Sequence, residues 1–272
     1  MTKKIHPMAI VSPSAQIGDN VEIGAYSIIG DEVKIGEGTI IKSHVVIDGD
    51  TIIGKNNTIF PFATIGLAPQ DLKFKGEKSR VVIGDNNNIR EHVTIHLGTQ
   101  DGAMLTSIGS NCLFMVGVHI AHDCIVGNRV ILANNATLAG HVELGDHVII
   151  GGLSALHQFV RVGHGAMIGG MSGVEHDVIP YGMVMGERAS LAGLNLVGMR
   201  RGGVAREDIH ALRNFFKKLF SQENSNFSKR VEELAKDFPS KTVQDVAGFV
   251  KSESARSFCQ PKNLLNDGEN DA

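Results

Sequence analysis

The chain has 272 residues, of which 42% are hydrophobic and 20% charged, and its formal net charge is -3. Such a chain can bury a large core, whereas its slightly acidic balance, without any lysine- and arginine-rich run, argues against a nucleic-acid-binding protein. Because it has 32 glycines and no tryptophan, large aromatic side chains do not dominate that core.

The N-terminal sequence MTKKIHPMAI has lysines but no continuous apolar stretch behind them, unlike a signal peptide, and no later run is apolar enough to span a membrane. Cys112, Cys124 and Cys259 are too few and too scattered for a disulfide framework, which favours a reducing compartment. We therefore expect a cytoplasmic protein without a membrane span.

The first feature in chain order is a repeat. An aliphatic residue recurs every six positions between residues 5 and 65, again between 83 and 95, and again between 108 and 174. A small or β-branched residue follows four positions after each, as Val21 follows Ile17. This pattern is the hexapeptide repeat, in which short strands alternate with tight turns and each aliphatic side chain points into a narrow three-sided prism.

Since three hexads form one coil, residues three hexads apart in an unbroken run stack at roughly 4.8 Å. We therefore expect a mainly β fold, with a parallel β-helix over residues 1–187. The repeat does not by itself determine the hand of the coils, and the usual crossover rule favours a right-handed connection. Similarity to known hexapeptide-repeat proteins implies a left-handed parallel β-helix.

Two interruptions of the repeat, GLAPQDLKFKGEKSRVV at 66–82 and DGAMLTS at 101–107, are expected to leave the coil as outward loops. The first is rich in charge and includes Asp71 and Lys73. Such a loop is either a solvated excursion or a wall of a binding site. The charge pattern alone favours the solvated alternative.

After Pro180 the hexads end and the period becomes that of a helix. Three segments have helical spacing: AREDIHALRNFFKKLFSQ at 205–222, FSKRVEELAKDFP at 227–239 and TVQDVAGFVKS at 242–252. Thr242 begins a capping pattern in the last of them. We expect a small α-helical domain at 188–262 and, because LLNDGENDA is polar, a disordered tail at 263–272.

The segment HIAHDC at 119–124 places two histidines and an aspartate close together. His122, Gly140 and Gln158 follow one another at intervals of three hexads and should form one column on the outside of the prism. Histidines beside a glycine amide suit a reacting carbonyl, because the imidazole can accept a proton from an attacking hydroxyl while the N–H meets the developing oxyanion. The alternative is structural, since polar side chains also fill outward positions of a coil.

A metal site is a further alternative, because three histidines such as His119, His122 and His141 can hold zinc. We consider it weaker, since residues 119 and 122 project from different points of one turn. Cys112 and Cys124 each follow a hexad aliphatic by four positions, so we expect them to be buried packing residues and not thiolate ligands. We expect no bound metal.

Several segments together resemble one enzyme family. They are SHVVIDGDTIIGKNNTIFPFATIG, PQDLKFKGE, IREHVTIHLGT, HIAHDCIVGNRVILANNATLAGHV and SALHQF. In this order they are similar to the acyl-carrier-protein-dependent UDP-N-acetylglucosamine O-acyltransferases, which begin lipid A biosynthesis, and the similarity extends over residues 5–255. Many acetyltransferases have hexads, whereas QDLK, TIHLGT, VHIAHDC and ALHQF in this order are specific.

The resemblance implies transfer of a 3-hydroxyacyl chain from acyl carrier protein to the 3-hydroxyl of UDP-N-acetylglucosamine, without metal or organic cofactor. It implies that His122 is the general base, that Asp123 orients it, and that Gly140 donates a hydrogen bond to the oxyanion. Further positions match substrate-contacting residues of the family: Asp71, Lys73, His96, His119, His141, His157, Gln158, Asn195 and Arg201. The chain departs from the family at Val197, where a nucleotide-contacting glutamate is common, and at Arg188, where a histidine commonly lines the acyl cleft.

The resemblance also implies a homotrimer with active sites between subunits and an acyl cleft whose length is measured at Gly170. Because glycine blocks nothing, we expect a long 3-hydroxyacyl donor. Acyl carrier protein is acidic, and residues 188–218 carry a local charge of +5 in a chain of net charge -3. This asymmetry favours a basic docking surface for it, with a solvated helix face as the alternative.

Two other classes of protein need to be distinguished. The N-acyltransferase of the same pathway has an additional N-terminal uridine-binding domain, which we do not expect here because the hexads begin at Ile5. A β-helical scaffold without activity needs neither clustered histidines nor a helical domain. Whether the acceptor sugar carries a 3-hydroxyl or a 3-amino group stays open at this point.

Overall fold

The computed structural model describes residues 4–221 and 226–262. Short parallel strands wind into coils over most of this length, and helices follow them. No helix in these two ranges is both long and apolar enough to cross a membrane. The segment 263–272, for which we expected a disordered tail, lies outside the described residues.

Three sheets form the faces of the prism. The first sheet contains Lys4–Ile5, Glu22–Ile23, Ile40–Ile41, Thr58–Ile59, Asn88–Ile89, Leu113–Phe114, Ile131–Leu132, Ile149–Ile150, Met167–Ile168, Gly182–Met185 and Ser190–Leu194. The second contains Ile10–Val11, Ile28–Ile29, Val46–Ile47, Thr64–Leu67, Thr94–His96, His119–Ile120, Thr137–Leu138, Ala155–Leu156 and Gly173–Val174. The third contains Gln16–Ile17, Lys34–Ile35, Asp50–Ile53, Arg80–Ile83, Leu105–Ile108, Ile125–Val126, Glu143–Leu144 and Arg161–Val162.

The hexad aliphatics form the core of the prism. Ile23 pairs with Ile41, and Ile41 pairs with Ile59, so equivalent residues of successive coils lie side by side. All three side chains are buried. Each coil covers the strand edges of the previous one and adds one apolar side chain to each face. The predicted mainly β fold, a left-handed parallel β-helix of hexapeptide repeats, is confirmed.

The corner residue three positions after each aliphatic commonly has a left-handed backbone. Its φ is 60° at His44, 57° at Asp123 and 61° at His141, in a region that L-residues seldom occupy. The coils stacked above and below hold the backbone in this conformation. Side chains at these positions therefore follow one another along the outside of a corner, as His141 and Phe159 do with ring centroids 4.4 Å apart.

A polar ladder runs inside one corner, at the position where most coils have a small apolar residue. Asn57 and Asn87 are buried there. The backbone N–H of Asn87 donates to Asn57 Oδ1 at 2.9 Å, and the backbone N–H of Cys112 donates to Asn87 Oδ1 at 2.7 Å. Their Nδ2 groups donate to the carbonyls of Gly84 and Gly109, each at 3.0 Å. The ladder thus satisfies buried backbone groups of successive coils.

Both loops differ in extent from the predicted interruptions. The first occupies 68–79, because the flanking residues belong to the strands Thr64–Leu67 and Arg80–Ile83. The second occupies 97–104, because residues 105–107 belong to Leu105–Ile108. The physical reason is pairing: Arg80–Ile83 lies between Asp50–Ile53 and Leu105–Ile108, and the strand residues nearest the loops gain partners in the third sheet.

Four helices follow the coils within the described residues: α1 (Leu196–Arg201), α2 (Arg206–Leu219), α3 (Phe227–Ala235) and α4 (Lys241–Lys251). The last three coincide with the segments predicted from helical spacing, whereas α1 was not predicted. They are amphipathic and turn their apolar sides into a common core. Its buried members on α2 and α4 are Ile209, Leu212, Phe215, Leu219, Val243, Val246 and Val250.

Two expectations about this region were wrong. The region from 188 does not begin as helix, because Ser190–Leu194 is a strand that pairs antiparallel with Gly182–Met185 and covers an otherwise open sheet edge. Thr242 is not the cap of α4. The N-cap residue is Ser240, and Thr242 is buried inside the helix, where its hydroxyl donates to the Asp208 carbonyl of α2 at 3.0 Å.

Replacing Asn87 with alanine should destabilise the fold by about 2–5 kcal/mol, because two buried backbone groups, the Cys112 amide and the Gly109 carbonyl, lose their partner. Urea unfolding followed by circular dichroism measures this change. The control is Asn88→Ala, which alters the exposed neighbour and should have little effect. Equal stabilities of the two variants would contradict a role for the ladder.

Candidate active site

His122 and Asp123 meet at the corner of the prism that follows the second sheet. His122 Nδ1 lies 2.9 Å from Asp123 Oδ2, although the residues are adjacent in sequence. Such a contact is possible because the left-handed backbone at Asp123 turns its side chain back along the corner. Since an ionised carboxylate only accepts hydrogen bonds, Nδ1 of His122 donates and carries the proton. Nε2 is therefore the acceptor nitrogen, as a general base requires.

The second loop holds the Asp123 carboxylate in place. The Thr99 amide donates to both carboxylate oxygens, at 3.1 and 3.0 Å, and the Thr99 hydroxyl donates to Oδ2 at 2.6 Å. The Asp123 amide in turn donates to the Thr106 hydroxyl at 2.9 Å. Burial alone would raise the pKa of Asp123, but the hydrogen bonds from His122 and Thr99 hold that pKa below its ordinary value. Asp123 therefore stays ionised although it is buried.

Gly140 lies in the next coil, directly against His122. A Cβ at this glycine would come 2.5 Å from His122 Nε2, which is closer than atoms can pack, so only glycine leaves room for the ring. The neighbouring amides of Ala139 and His141 donate to the Leu156 and His122 carbonyls. The Gly140 amide is not part of this coil-to-coil ladder. The Gly140 backbone thus lies against the imidazole, and within the described residues its N–H takes no part in the ladder.

His141 and Phe159 extend the group along the corner. The His141 ring meets the His122 ring edge to face at 5.0 Å and stacks on Phe159. Burial lowers the pKa of His141, and His122 lowers it further, although Asp123 opposes this. The imidazole of His141 is consequently neutral at neutral pH, and its stacking limits how far the His122 ring can rotate.

His96 and His119 lie nearby on the second sheet, with ring centroids 5.0 Å apart. His96 is buried, and its Nδ1 has no hydrogen-bond partner among the residues that the structure describes. Burial, with repulsion from His119 and His122, lowers the pKa of His96 to about 4. Burial also lowers the pKa of His119, whose Nδ1 lies 2.6 Å from the Thr94 hydroxyl. Neither imidazole carries a charge at neutral pH.

The two loops form a cleft beside His122. Asp71 Oδ2 lies 3.9 Å from His122 Nε2, while Lys73 Nζ lies 2.9 Å from an Asp101 oxygen and so joins the two loops. A cavity of about 350 Å³ lies between them and is lined by Asp71, Lys73, Lys75, Glu77, Thr99, Gln100 and Asp101. The first loop therefore forms one wall of this cavity, although most of its side chains are exposed to solvent.

The residues that could hold a metal ion differ from those expected from the sequence. His122, Asp123 and His141 have candidate ligand atoms within 4.8 Å of one another, whereas His119 is not in this group. Asp123 Oδ2 already accepts hydrogen bonds from Thr99 and lies 2.9 Å from His122 Nδ1, so a cation at this oxygen would compete with these donors. The arrangement is that of a carboxylate orienting an imidazole.

The burial predicted for Cys112 and Cys124 is confirmed. Both thiols donate to backbone carbonyls of the following coil, at 3.3 and 3.2 Å. Burial raises the pKa of the Cys112 thiol and raises that of Cys124 to about 12. Neither thiolate is available as a ligand near neutral pH.

The remaining candidate residues lie farther along the β-helix. His157 and Gln158 are exposed on the same corner as His122. Asn195 caps α1, since its Oδ1 accepts from the Gly198 amide at 2.9 Å and its Nδ2 donates to the Gly165 carbonyl at 3.0 Å. Arg201 is exposed at the end of α1, and Gly170 is exposed on a different corner. A single chain therefore places Gly170 and Asn195 on other corners than the one that carries His122.

Sequence reasoning missed three residues that shape this site. Thr99 was within the quoted segment TIHLGT, but nothing in its spacing indicated a contact with Asp123. Phe159 has the corner position that follows His141 by three hexads, and this signal was available. Arg256, which contacts His157, lies after the last helix and has no periodic relation to the coils.

Comparison with known proteins connects this geometry to a family. A family model described as Udp N-acetylglucosamine O-acyltransferase, domain 2, matches residues 177–259, and a model of the bacterial transferase hexapeptide matches 14–49 and 105–140. The acyl-[acyl-carrier-protein]--UDP-N-acetylglucosamine O-acyltransferase of Aliarcobacter butzleri is 51% identical over 246 residues, covering 90% of this chain and 94% of that protein. The chain belongs to this family.

Further relatives agree. The enzyme of the same name from Bartonella henselae is 49% identical over 260 residues, which cover 95% of this chain and 94% of that protein. The solved UDP-N-acetylglucosamine acyltransferase from Campylobacter jejuni superposes with a TM-score of 0.89 at 44% identity, covering 94% of this chain and 99% of that one. The predicted family is confirmed, and the protein is an acyltransferase.

The neutral state of His96 predicts a pH dependence of stability. The unfolded chain binds a proton at this residue below about pH 6.5, but the folded chain does so only near pH 4. Lowering the pH through this window should therefore reduce the free energy of unfolding. In urea titrations, His96→Gln should show a shallower decline than the wild type, and equal slopes for the two proteins would contradict this assignment.

Proposed function

We propose that this protein transfers a 3-hydroxyacyl chain from acyl carrier protein to the 3-hydroxyl of UDP-N-acetylglucosamine, the first step of lipid A biosynthesis. Relatives that are 51% and 49% identical to this chain carry the name of an enzyme with this activity. The observation that carries the proposal is the acceptor nitrogen Nε2 of His122, which adjoins the Gly140 backbone and the Asp71 carboxylate. One proton acceptor, one N–H donor and one sugar-binding carboxylate are what such a transfer needs.

In the proposed reaction the sugar 3-hydroxyl oxygen attacks the thioester carbonyl carbon, and its proton passes to His122 Nε2. The carbonyl oxygen becomes an oxyanion that accepts a hydrogen bond from the Gly140 amide. When the tetrahedral intermediate collapses, the carbon–sulfur bond breaks and the proton returns to the thiolate. The products are the 3-O-acyl sugar nucleotide and the free carrier thiol. Asp123 stabilises the imidazolium formed in between.

The acceptor sugar would occupy the cleft between the two loops. Asp71 has an oxygen near His122 Nε2 and can accept a hydrogen bond from a sugar hydroxyl. Lys73 lies at the cleft mouth, with the pKa of its amine raised by Asp101, and can meet the diphosphate. The neutral imidazoles of His96, His119 and His141 supply hydrogen-bonding groups without adding charge near the base.

We assign binding of the nucleotide part of UDP-N-acetylglucosamine to Arg201, because its side chain is exposed at the end of α1. Asn195 supports this helix through its cap, and both of its amide atoms already have partners. Val197, which is 56% exposed, leaves the same helix without the family's carboxylate. Nucleotide binding in this chain therefore depends more on the cation at Arg201.

We further propose a homotrimer with active sites between subunits. His122 follows the second sheet, whereas Gly170 follows the first and lies three coils farther along, about 14 Å by the inter-strand spacing. Two corners of one prism cannot face each other, but corners of adjacent subunits can. Exposed apolar side chains support packing between subunits. They lie on the second sheet and on the corner that follows the first sheet: Met8, Ile10, Tyr26, Ile28, Phe62, Leu153 and Met171.

The acyl chain would run along Gly170. This residue is exposed, and a Cβ there would meet only backbone atoms of Gly152, at 3.3 Å or more. Gly170 itself therefore does not narrow a cleft at this level, which supports a long 3-hydroxyacyl donor. Farther along, Arg188 is paired with Glu175, and such charges give an apolar chain a natural end point.

Acyl carrier protein would dock on the helical part. A groove of about 810 Å³ lies between α1 and α2, lined by Arg200, Val204, Arg206, Glu207, Ile209, His210 and Arg213. Its charge is positive although the whole chain is negative, which suits an acidic partner and speeds encounter.

The free, buried thiols of Cys112, Cys124 and Cys259 fit the reducing cytoplasm, where we place the reaction.

His122→Ala should retain the fold and lose about 10²- to 10⁴-fold in kcat, the usual contribution of a general base. The assay follows radiolabelled UDP-N-acetylglucosamine with 3-hydroxyacyl carrier protein, in parallel with the 3-amino sugar nucleotide. His147→Ala, at an exposed histidine of the next coil, is the control and should keep full activity. A His122→Ala enzyme with near-normal turnover would refute the base, and transfer to the 3-amino acceptor alone would refute the O-acyl reaction.

Arg206→Glu combined with Arg213→Glu should raise the KM for acyl carrier protein about tenfold and weaken its dependence on salt, because two cations of the groove are reversed. Turnover at saturating donor should stay unchanged. The matched control, Lys236→Glu with Lys251→Glu, makes the same charge change at exposed sites outside the groove and outside residues 188–218. If both double variants raise KM equally, the groove is not the docking site.

A further inference from the structure

The chain returns to the β-helix after its last helix. The Asp177 amide donates to the Ser257 carbonyl, and the Cys259 amide donates to the Asp177 carbonyl, both at 2.8 Å. Asp177 and Phe258 thereby form a parallel bridge. The segment 252–260 thus lies along the last coil on the side of the third sheet, and its position is set by backbone hydrogen bonds.

A buried ion pair anchors this segment on its N-terminal side. The Asp177 carboxylate, which is fully buried, accepts from Arg161 Nε at 2.8 Å and from the Ser254 hydroxyl at 2.6 Å. Arg161 Nη1 also donates to the Ser252 hydroxyl at 2.7 Å. On the other side, the Ser257 hydroxyl lies 2.9 Å from His176 Nδ1. The backbone of Arg256, which lies between these anchors, is therefore held in place.

Arg256 makes two hydrogen bonds to one turn of the β-helix. Its Nη2 lies 2.5 Å from His157 Nδ1, and its Nε donates to the Gln158 carbonyl at 3.0 Å. Nδ1 of His157 also lies 3.4 Å from the Gln158 carbonyl oxygen, but a guanidinium has donors only, so Nδ1 is the acceptor in its shorter contact with Arg256. The ring is then the neutral tautomer with its proton on Nε2. Arg256 is half-buried, whereas His157 is exposed, so the Nε2–H group remains available to a ligand.

We propose that Arg256 is a positioning residue of the acyltransferase site, which holds His157 as an Nε2–H donor toward an oxygen atom of the substrate. This inference rests on the proposed function, since it takes the corner that carries His122 and Gln158 as the wall of the cleft. Arg256 contacts no reacting atom. It acts through His157, by selecting one tautomer and one ring orientation, while its hydrogen bond to the Gln158 carbonyl holds the guanidinium in place.

The test compares Arg256→Met, which keeps an apolar stem and removes both hydrogen bonds, with Arg256→Lys, which can restore one of them. We expect kcat/KM to fall about tenfold in Arg256→Met and to recover in part in Arg256→Lys, the size of one lost charge-assisted hydrogen bond. Ser257→Ala is the matched control, because it loosens the same segment at another histidine. It should keep wild-type activity within about twofold.

A double-mutant cycle separates positioning from mere anchoring. If Arg256 acts through His157, Arg256→Met should cost nothing further in a His157→Phe background. Additive losses, or equal losses in Arg256→Met and Ser257→Ala, would overturn the proposal and leave a structural role. Thermal unfolding of each variant checks that the fold persists.

Nitrogen-15 NMR of the histidine side chains gives a readout that does not require turnover. The wild type should show His157 protonated on Nε2, and Arg256→Met should shift this population toward the Nδ1–H form. An unchanged tautomer overturns the positioning proposal even if transfer occurs. Conversely, a wild type without transfer to UDP-N-acetylglucosamine but with the tautomer shift would contradict the proposed reaction and retain the Arg256–His157 interaction.

Discussion

In-register stacking of hexads, three to a coil, is the constraint on which the rest of this structure depends. The interior accepts one aliphatic side chain per face and coil, so Ile23, Ile41 and Ile59 lie directly over one another. Outside, the same register turns positions into columns, which brings His122 over Gly140 and His141 over Phe159. A side chain in one coil therefore determines what the next coil can accommodate, and the His122 imidazole requires a glycine.

The coils present these side chains, and the two loops add further contacts that hold them in place. Thr99, in the second loop, gives Asp123 three hydrogen bonds, and Asp71, in the first, lies beside His122. The electrostatic result is an ionised Asp123 carboxylate beside imidazoles whose charge is suppressed by burial. The imidazoles of His96 and His141 therefore add little positive charge around His122.

The helical part does more than close the end of the β-helix. Ser190–Leu194 and the segment 252–260 both pair with the last coils, so sheet edges that could associate with other chains are covered. The buried pair of Arg161 and Asp177 gains hydrogen bonds from this segment, which offset the cost of taking the two charges out of water. Through Arg256, the same contacts extend from the C-terminal segment to the corner that carries His157.

The sequence by itself determined whatever the repeat period governs. It predicted the prism, the column of His122, Gly140 and Gln158, and the inward position of Cys112 and Cys124, because a six-residue period is local and every coil repeats it. The last three helices followed from their own periodicity and apolar spacing. The family resemblance added residue roles that spacing alone left open between catalysis and structure.

Only the tertiary structure decided the contacts between irregular segments. Thr99 reaches Asp123 across 24 positions and Arg256 reaches His157 across 99, and no period relates these pairs. The loop boundaries and the strand Ser190–Leu194 were likewise misplaced, because pairing with neighbouring strands extends an element beyond its own sequence signal. Hydrogen bonds and packing between distant segments determine such features, and they form only once the coils have brought those segments together.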